Sequence, residues 1–175
     1  YILLKILNKK GHFMNQNFLK ILLLFSLLNG ILIAHCQVPC GIYNDAVRIV
    51  QIQEDYKTIQ KAMLKIQELS GRQDAKSMNQ LTRWVMTKEE HATKIQRTVS
   101  DYFLTQRIKL KSEESDYKIY VKQTTTLHQI LVAAMKCKQT VEQDHAHQGI
   151  ELLNVFVDLY FDEHGRDHIN KLTQQ

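Results

Sequence analysis

Apolar residues recur every three or four positions in four separate segments of the chain, a spacing typical of amphipathic helices. The clearest segment places six apolar side chains on one helical stripe: Ile49, Ile52, Tyr56, Ile59, Met63 and Ile66. One proline and six glycines in 175 residues are too few for the frequent turns of a sandwich or barrel. The sequence therefore predicts an all-α fold.

The four segments predict four helices with short connections. The predicted helices are about 49–70, about Met78–Ile108, a third carrying Leu127, Ile130, Ala134, Cys137 and Val141, and about Gln148–His164. Gly71 and Gly165 are expected to end the first and the last, because glycine tolerates the left-handed conformation at a helix end. Residues 109–116 are charged and lack a stripe, which predicts a surface connection. Burial of each stripe against its neighbours predicts a four-helix bundle over residues 44–175.

The positive charge of the chain is concentrated near its start. The formal net charge is +5, but four of the 23 lysine and arginine residues, and none of the 18 acidic residues, precede residue 35. The rest of the chain is therefore nearly neutral. It lacks the basic surface that nucleic-acid binding requires, and we exclude that class.

Residues 1–34 have the pattern of a cleavable leader. A signal peptide is predicted from about Met14, with a cation at Lys20, the almost wholly apolar run Ile21–Ile33 and the small residue Ala34. The run has 13 residues, whereas a bilayer-spanning helix needs about 20, so a permanent membrane anchor is not expected. We expect export to the exterior, the periplasm or an organelle lumen, with removal of residues 1–34.

The segment that follows the leader, HCQVPCGIY at residues 35–43, concentrates metal-ligand chemistry and is called the hook below. Thiolates of Cys36 and Cys40 favour soft or borderline metal ions over hard cations. If His35 is terminal, its amine and the Cys36 backbone nitrogen complete a planar set of two nitrogens and two sulfurs. Such a set suits nickel(II) or copper(II), and the His35 imidazole is available as an axial ligand.

The hook resembles the N-terminal pattern HCxxPCGxY of nickel superoxide dismutases. Similar stretches continue beyond it, at WVMTKEEHA (Trp84–Ala92), DYFLTQRIK (Asp101–Lys109) and LHQILVAAMKCKQT (Leu127–Thr140). The resemblance implies a four-helix bundle that assembles as a homohexamer and binds one nickel ion per subunit. It also implies dismutation of superoxide to dioxygen and hydrogen peroxide by cycling between nickel(II) and nickel(III), after a processing peptidase has exposed His35.

The resemblance also assigns roles to individual residues. It implies that His35, Cys36 and Cys40 bind the metal, and that Tyr43 and Tyr102 line the approach to it. His91 replaces an arginine that some members place behind the active histidine. Glu54 and Gln51 are the candidates for the partner of that position. These groups would orient the His35 ring through a hydrogen bond.

Two readings from other classes remain open at this stage. The chain could be a secreted four-helix binding or signalling protein in which Cys36 and Cys40 form a disulfide and no metal binds. It could also carry or sense a metal through the hook without turnover. Cys137 falls on an apolar stripe and is expected to be a buried, inert thiol and not a third thiolate ligand.

Overall fold

The computed structural model describes residues 44–111 and 113–174, and these residues form five α-helices and no strand. The helices are α1 (Asp45–Leu69), α2 (Ala75–Arg97), α3 (Glu114–Gln139), α4 (Asp144–Tyr160) and α5 (Glu163–Thr173). A π-helix, Thr98–Arg107, continues α2. The four long helices form a ring in which α1 packs on α2 and α4, and α3 packs on α2 and α4. The predicted all-α bundle is confirmed.

The apolar stripe of α1 forms the centre of the core. Five of its six predicted members are fully buried and the sixth, Ile66, is 8% exposed. Asn44 caps the start of α1 by accepting a hydrogen bond from the Val47 amide at 3.1 Å. The helix ends at Leu69 with Ser70 as its C-cap. Gly71 does not have a positive φ, so the expected left-handed glycine cap is wrong, although the position of the helix end is confirmed.

The second predicted helix is present, but its last part has π geometry. The amide of Ile108 donates to the carbonyl of Phe103, five residues earlier, at 2.9 Å. Side chains follow the same spacing, since the hydroxyl of Thr105 donates to the Ser100 carbonyl at 2.7 Å. Val85, predicted on the stripe, is 39% exposed.

Two boundaries near α3 differ from the prediction. The helix begins at Glu114, inside the segment expected to be a connection, and it ends at Gln139, before Val141. Acidic side chains in the first turn favour a helix start without an apolar stripe, because they interact well with the helix dipole. Apolar periodicity therefore locates the buried part of α3 but not its ends.

The end of the fourth helix is a correction. Helix α4 stops at Tyr160 and not at Gly165, and Gly165 lies in the first turn of α5. Asp162 adopts an extended conformation and its side chain accepts a hydrogen bond from the Gly165 amide at 2.8 Å. This N-cap starts a new helix. Ile169 of α5 is buried, and α5 packs on α1.

No helix in residues 44–111 and 113–174 is long and apolar enough to cross a membrane.

Candidate functional site

The predicted metal ligands His35, Cys36 and Cys40, together with Tyr43, lie outside the described residues. The described chain begins at Asn44, directly after the hook. Within the part of the chain that the structure describes, no group of three or more histidine, cysteine or acidic residues could hold a metal ion. Of the five predicted site residues, Tyr102 lies within the described part of the chain.

Tyr102 belongs to a cluster of side chains that converge on the carboxylate of Asp45, in the first turn of α1. The hydroxyl of Tyr102 donates to Oδ1 of Asp45, and the hydroxyl of Tyr160 donates to Oδ2 at 2.7 Å. Arg107 donates to Oδ2 through Nη2 at 2.7 Å and through Nε at 3.0 Å. We call these four residues the Asp45 cluster. It joins the start of α1 to the π-helix and to the last turn of α4.

The charges in the Asp45 cluster stabilise one another. Burial alone would raise the pKa of Asp45, but hydrogen bonds from Arg107, Tyr102 and Tyr160 outweigh burial and lower it. Burial and the bond to Asp45 raise the pKa of Tyr160 to about 12, and the same two causes raise that of Tyr102 further. At neutral pH the cluster therefore consists of a carboxylate, a guanidinium and two neutral phenols.

Aromatic packing fixes the rings of the two tyrosines. Phe103 meets Tyr102 edge to face at 5.1 Å between ring centroids, and it meets Tyr160 edge to face at 5.9 Å. Phe156 stacks on Tyr160 at 5.2 Å. The guanidinium of Arg48 lies 5.5 Å from the centroid of the Tyr102 ring, within the range of a cation–π interaction. Both phenols are therefore held by the core at the ring and by Asp45 at the hydroxyl.

Three members of this cluster are absent from the site predicted by sequence. Asp45 lies close behind the hook, separated from it by Asn44, and Arg107 lies within the similar stretch DYFLTQRIK. These positions in the sequence could have indicated that Asp45 and Arg107 belong to the site. The sequence gives no such indication for Tyr160, because Tyr160 falls on an apolar stripe and is expected to be a core residue.

The partner of His91 is Asp55, which corrects the expectation of Glu54 or Gln51. Nδ1 of His91 lies 2.6 Å from Oδ1 of Asp55. Glu54 is exposed, and Gln51 instead accepts a hydrogen bond from Arg48 at 2.9 Å. Burial raises the pKa of Asp55, although its bond to His91 acts in the opposite direction.

Cys137 is a buried free thiol, as predicted. It is fully buried, and burial raises its pKa to about 11. The ammonium of Lys88, itself buried, donates to the carbonyls of Cys137 and Lys138 at 2.7 and 2.6 Å. These carbonyls lie at the C-terminal end of α3, where intrahelical donors are missing. Cys137 and Lys88 therefore serve the packing of α2 against α3.

Comparison with known proteins identifies the class. A family model described as nickel-containing superoxide dismutase matches residues 31–164, a range that includes the hook and most of the bundle. No curated protein and no solved structure gives a significant match. The chain belongs to the family of nickel-containing superoxide dismutases. It is accordingly an oxidoreductase with a nickel cofactor.

The donor chemistry of the hook fits nickel. The thiolates of Cys36 and Cys40, with an amine and a backbone nitrogen if His35 is N-terminal, would be a donor set that suits nickel(II), whereas zinc prefers a tetrahedron. The family match also argues against the reading of the chain as a binding protein with a Cys36–Cys40 disulfide.

Proposed function

We propose that the chain dismutates superoxide at a nickel site built from its own processed N-terminus at His35. The observation that carries the proposal is the position of HCQVPCGIY within the range matched by the family, directly before Asn44 and α1. In this proposal the metal is bound by the His35 amine, the Cys36 backbone nitrogen and the thiolates of Cys36 and Cys40. The His35 imidazole would supply a further nitrogen donor to the metal.

Nickel, when bound, supplies a one-electron couple between its divalent and trivalent states. Two superoxide anions and two protons give one dioxygen and one hydrogen peroxide, so one superoxide is oxidised and the other is reduced. The chain would supply the donor atoms that hold the metal. Tyr43 and Tyr102 line the approach, and Tyr102 is held in place by Asp45.

Processing is part of the proposal. Removal of residues 1–34 by a peptidase would expose the primary amine of His35, whose unperturbed pKa of about 7.7–8.0 allows deprotonation on metal binding. The predicted signal peptide supports export to the exterior, the periplasm or an organelle lumen. Assembly as a homohexamer with one nickel ion per subunit is supported by the family resemblance.

The test uses protein purified from its native source. Intact-mass measurement gives the N-terminal residue, elemental analysis gives the metal, and a superoxide assay gives turnover on the same sample. We expect a chain that begins at His35, contains nickel and dismutates superoxide. A metal-free chain with a Cys36–Cys40 disulfide would support the binding-protein alternative, and a nickel-loaded chain without turnover would support a metal carrier. Either result would overturn the proposal.

A further inference from the structure

The outward face of α3 has an unusual composition. Four residues of α3 are buried in the core of the bundle: Leu127, Ile130, Ala134 and Cys137. Six residues follow one another at helical spacing on the opposite side, and we call them the outer stripe: Tyr117, Val121, Thr125, His128, Val132 and Met135. None of the six is acidic, lysine or arginine.

The outer stripe is accessible although much of it is apolar. Tyr117 is 50% exposed, Val121 is 40% exposed and Met135 is 38% exposed. The stripe runs for about 27 Å along the helix, at a rise of 1.5 Å per residue. A surface helix normally carries charged residues on the side away from the core. Helix α3 therefore has a second weakly polar face that the described bundle does not cover.

The other three long helices show the ordinary pattern. Exposed charged residues lie on the side of each helix that is opposite its buried residues: Glu54, Lys57 and Lys61 in α1, Arg83, Glu90 and Arg97 in α2, and Asp144, Glu151 and Asp158 in α4. The cores of protein interfaces are depleted in charged residues relative to the rest of the surface. The outer stripe of α3 has this property, and the outward faces of α1, α2 and α4 do not.

We propose that two copies of this chain pair through the outer stripe, with their α3 helices antiparallel about a two-fold axis near Thr125. Two-fold pairing places the same surface of both copies in contact, so the surface must be complementary to itself. In this arrangement Tyr117 of one copy lies beside Val132 and Met135 of the other. The homohexamer proposed above names no surface, and this inference depends on neither the metal nor the hook.

The charges beside the outer stripe favour a second copy as the occupant. Glu114 and Lys136 are 22 residues apart, which places them about 33 Å apart along the helix but within about 40° of each other around its axis. Neither residue forms an ion pair within the part of the chain that the structure describes. In the antiparallel pair, Glu114 of one copy lies opposite Lys136 of the other, and the two-fold axis repeats this contact.

The remaining cations beside the outer stripe are compatible with this register. Lys118 of one copy lies opposite Val132 of the other, and Lys122 lies opposite His128. Neither lysine therefore faces another lysine or an arginine. Like charges directly opposite each other would oppose pairing.

The principal test compares Val121→Glu with Val155→Glu, a matched change on the outward face of α4. Val155 is 49% exposed and lies between Glu151 and Asp158 on that face. Both variants are prepared as processed, nickel-loaded protein, and sedimentation equilibrium gives their masses at the same protein concentrations. We expect Val121→Glu to have half the mass of the wild-type assembly or less, because it places a charge within the interface. Val155→Glu should match the wild type.

A charge exchange tests the antiparallel register and does not require Val121→Glu to fold. Glu114→Lys and Lys136→Glu should each raise the dissociation constant about fivefold or more, since each replaces an attraction by a repulsion twice in the pair. The double variant should return to within about twofold of the wild type. Contact within one chain cannot produce this rescue, because the two side chains lie at opposite ends of α3.

Several results would overturn the pairing: a monomeric wild type, a Val121→Glu protein with the mass of Val155→Glu, single charge variants that associate normally, or a double variant that does not recover. Superoxide turnover of the same wild-type sample is recorded separately. A wild type that pairs as described but lacks turnover would contradict the proposed function and leave the pairing supported. An active, monomeric wild type would have the opposite meaning.

Discussion

Nδ1 of His91 lies 2.6 Å from Oδ1 of Asp55, and this contact joins α2 to α1. Both side chains are largely buried, at 24% and 13% exposed. Asp55 differs in its electrostatics from Asp45, at the start of the same helix. Burial dominates at Asp55 and raises its pKa, whereas hydrogen bonds dominate at Asp45 and lower its pKa.

The two carboxylates should therefore give opposite dependences of stability on pH. The raised pKa of Asp55 means that its stabilising contribution is full below the ordinary value of 3.8 and is lost as the pH rises through the folded-state pKa. The difference in unfolding free energy between wild type and Asp55→Asn should thus decrease with rising pH above 3.8. Urea unfolding at a series of pH values measures this difference.

Asp45→Asn provides the opposite case for the same measurement. The lowered pKa of Asp45 means that its contribution is present above 3.8 and is lost as the pH falls below that value. The difference in unfolding free energy between wild type and Asp45→Asn should therefore increase with rising pH through the range just below 3.8. If the two differences in unfolding free energy changed with pH in the same direction, this assignment would be contradicted.

Gly149 of α4 is expected to be intolerant of a side chain. A Cβ atom there would overlap the ring and hydroxyl of Tyr56, which is buried and donates to the Ile130 carbonyl at 3.2 Å. Gly149→Ala should lower the free energy of unfolding by about 1–3 kcal/mol, as overpacked cores do. Gly71→Ala is the control, because nothing lies within 4 Å of its added Cβ and its φ is not positive. Equal thermal unfolding temperatures of the two variants would contradict this close packing of Gly149 against Tyr56.

The three cysteines should separate into two groups by reactivity and by their role in nickel binding. Cys137 is fully buried with a pKa of about 11, so little reactive thiolate forms at neutral pH. In reduced, metal-free processed protein we expect two thiols to react rapidly with a disulfide reagent and the third to react slowly.

Cys36→Ser and Cys40→Ser should lose nickel and activity, while Cys137→Ser should keep nickel. A folded Cys137→Ser protein without nickel would contradict this assignment.

Sequence reasoning recovers the parts of the fold that periodicity reports directly. The α1 stripe is predicted residue by residue, because a spacing of three and four follows from the geometry of a helix buried on one face. Helix α5 escapes prediction because few of its residues are apolar and only Ile169 is buried. Gly165 indicates a helix end, but the Asp162 cap that makes it part of a helix start is a local geometric feature.

The candidate site divides in a similar way. The hook is recognisable because all the proposed metal ligands lie within nine consecutive residues. The Asp45 cluster is not predictable in this way, because Tyr160 reaches Asp45 from a position 115 residues away, and no local pattern encodes such a contact. Asp55 escapes prediction as the partner of His91 for the same reason, since the two are 36 residues apart.

The measurement that tests the proposed mechanism most directly compares a chain that begins at His35 with one that retains Ala34. In the longer chain the His35 nitrogen becomes an amide, so a strong donor to nickel is lost while the side chains from His35 onward are unchanged. Nickel content and superoxide turnover are measured on the same preparations. We expect the His35 chain to bind one nickel ion and to dismutate superoxide, and the Ala34 chain to do neither. Stoichiometric nickel and normal turnover in the Ala34 chain would contradict a site built on the terminal amine.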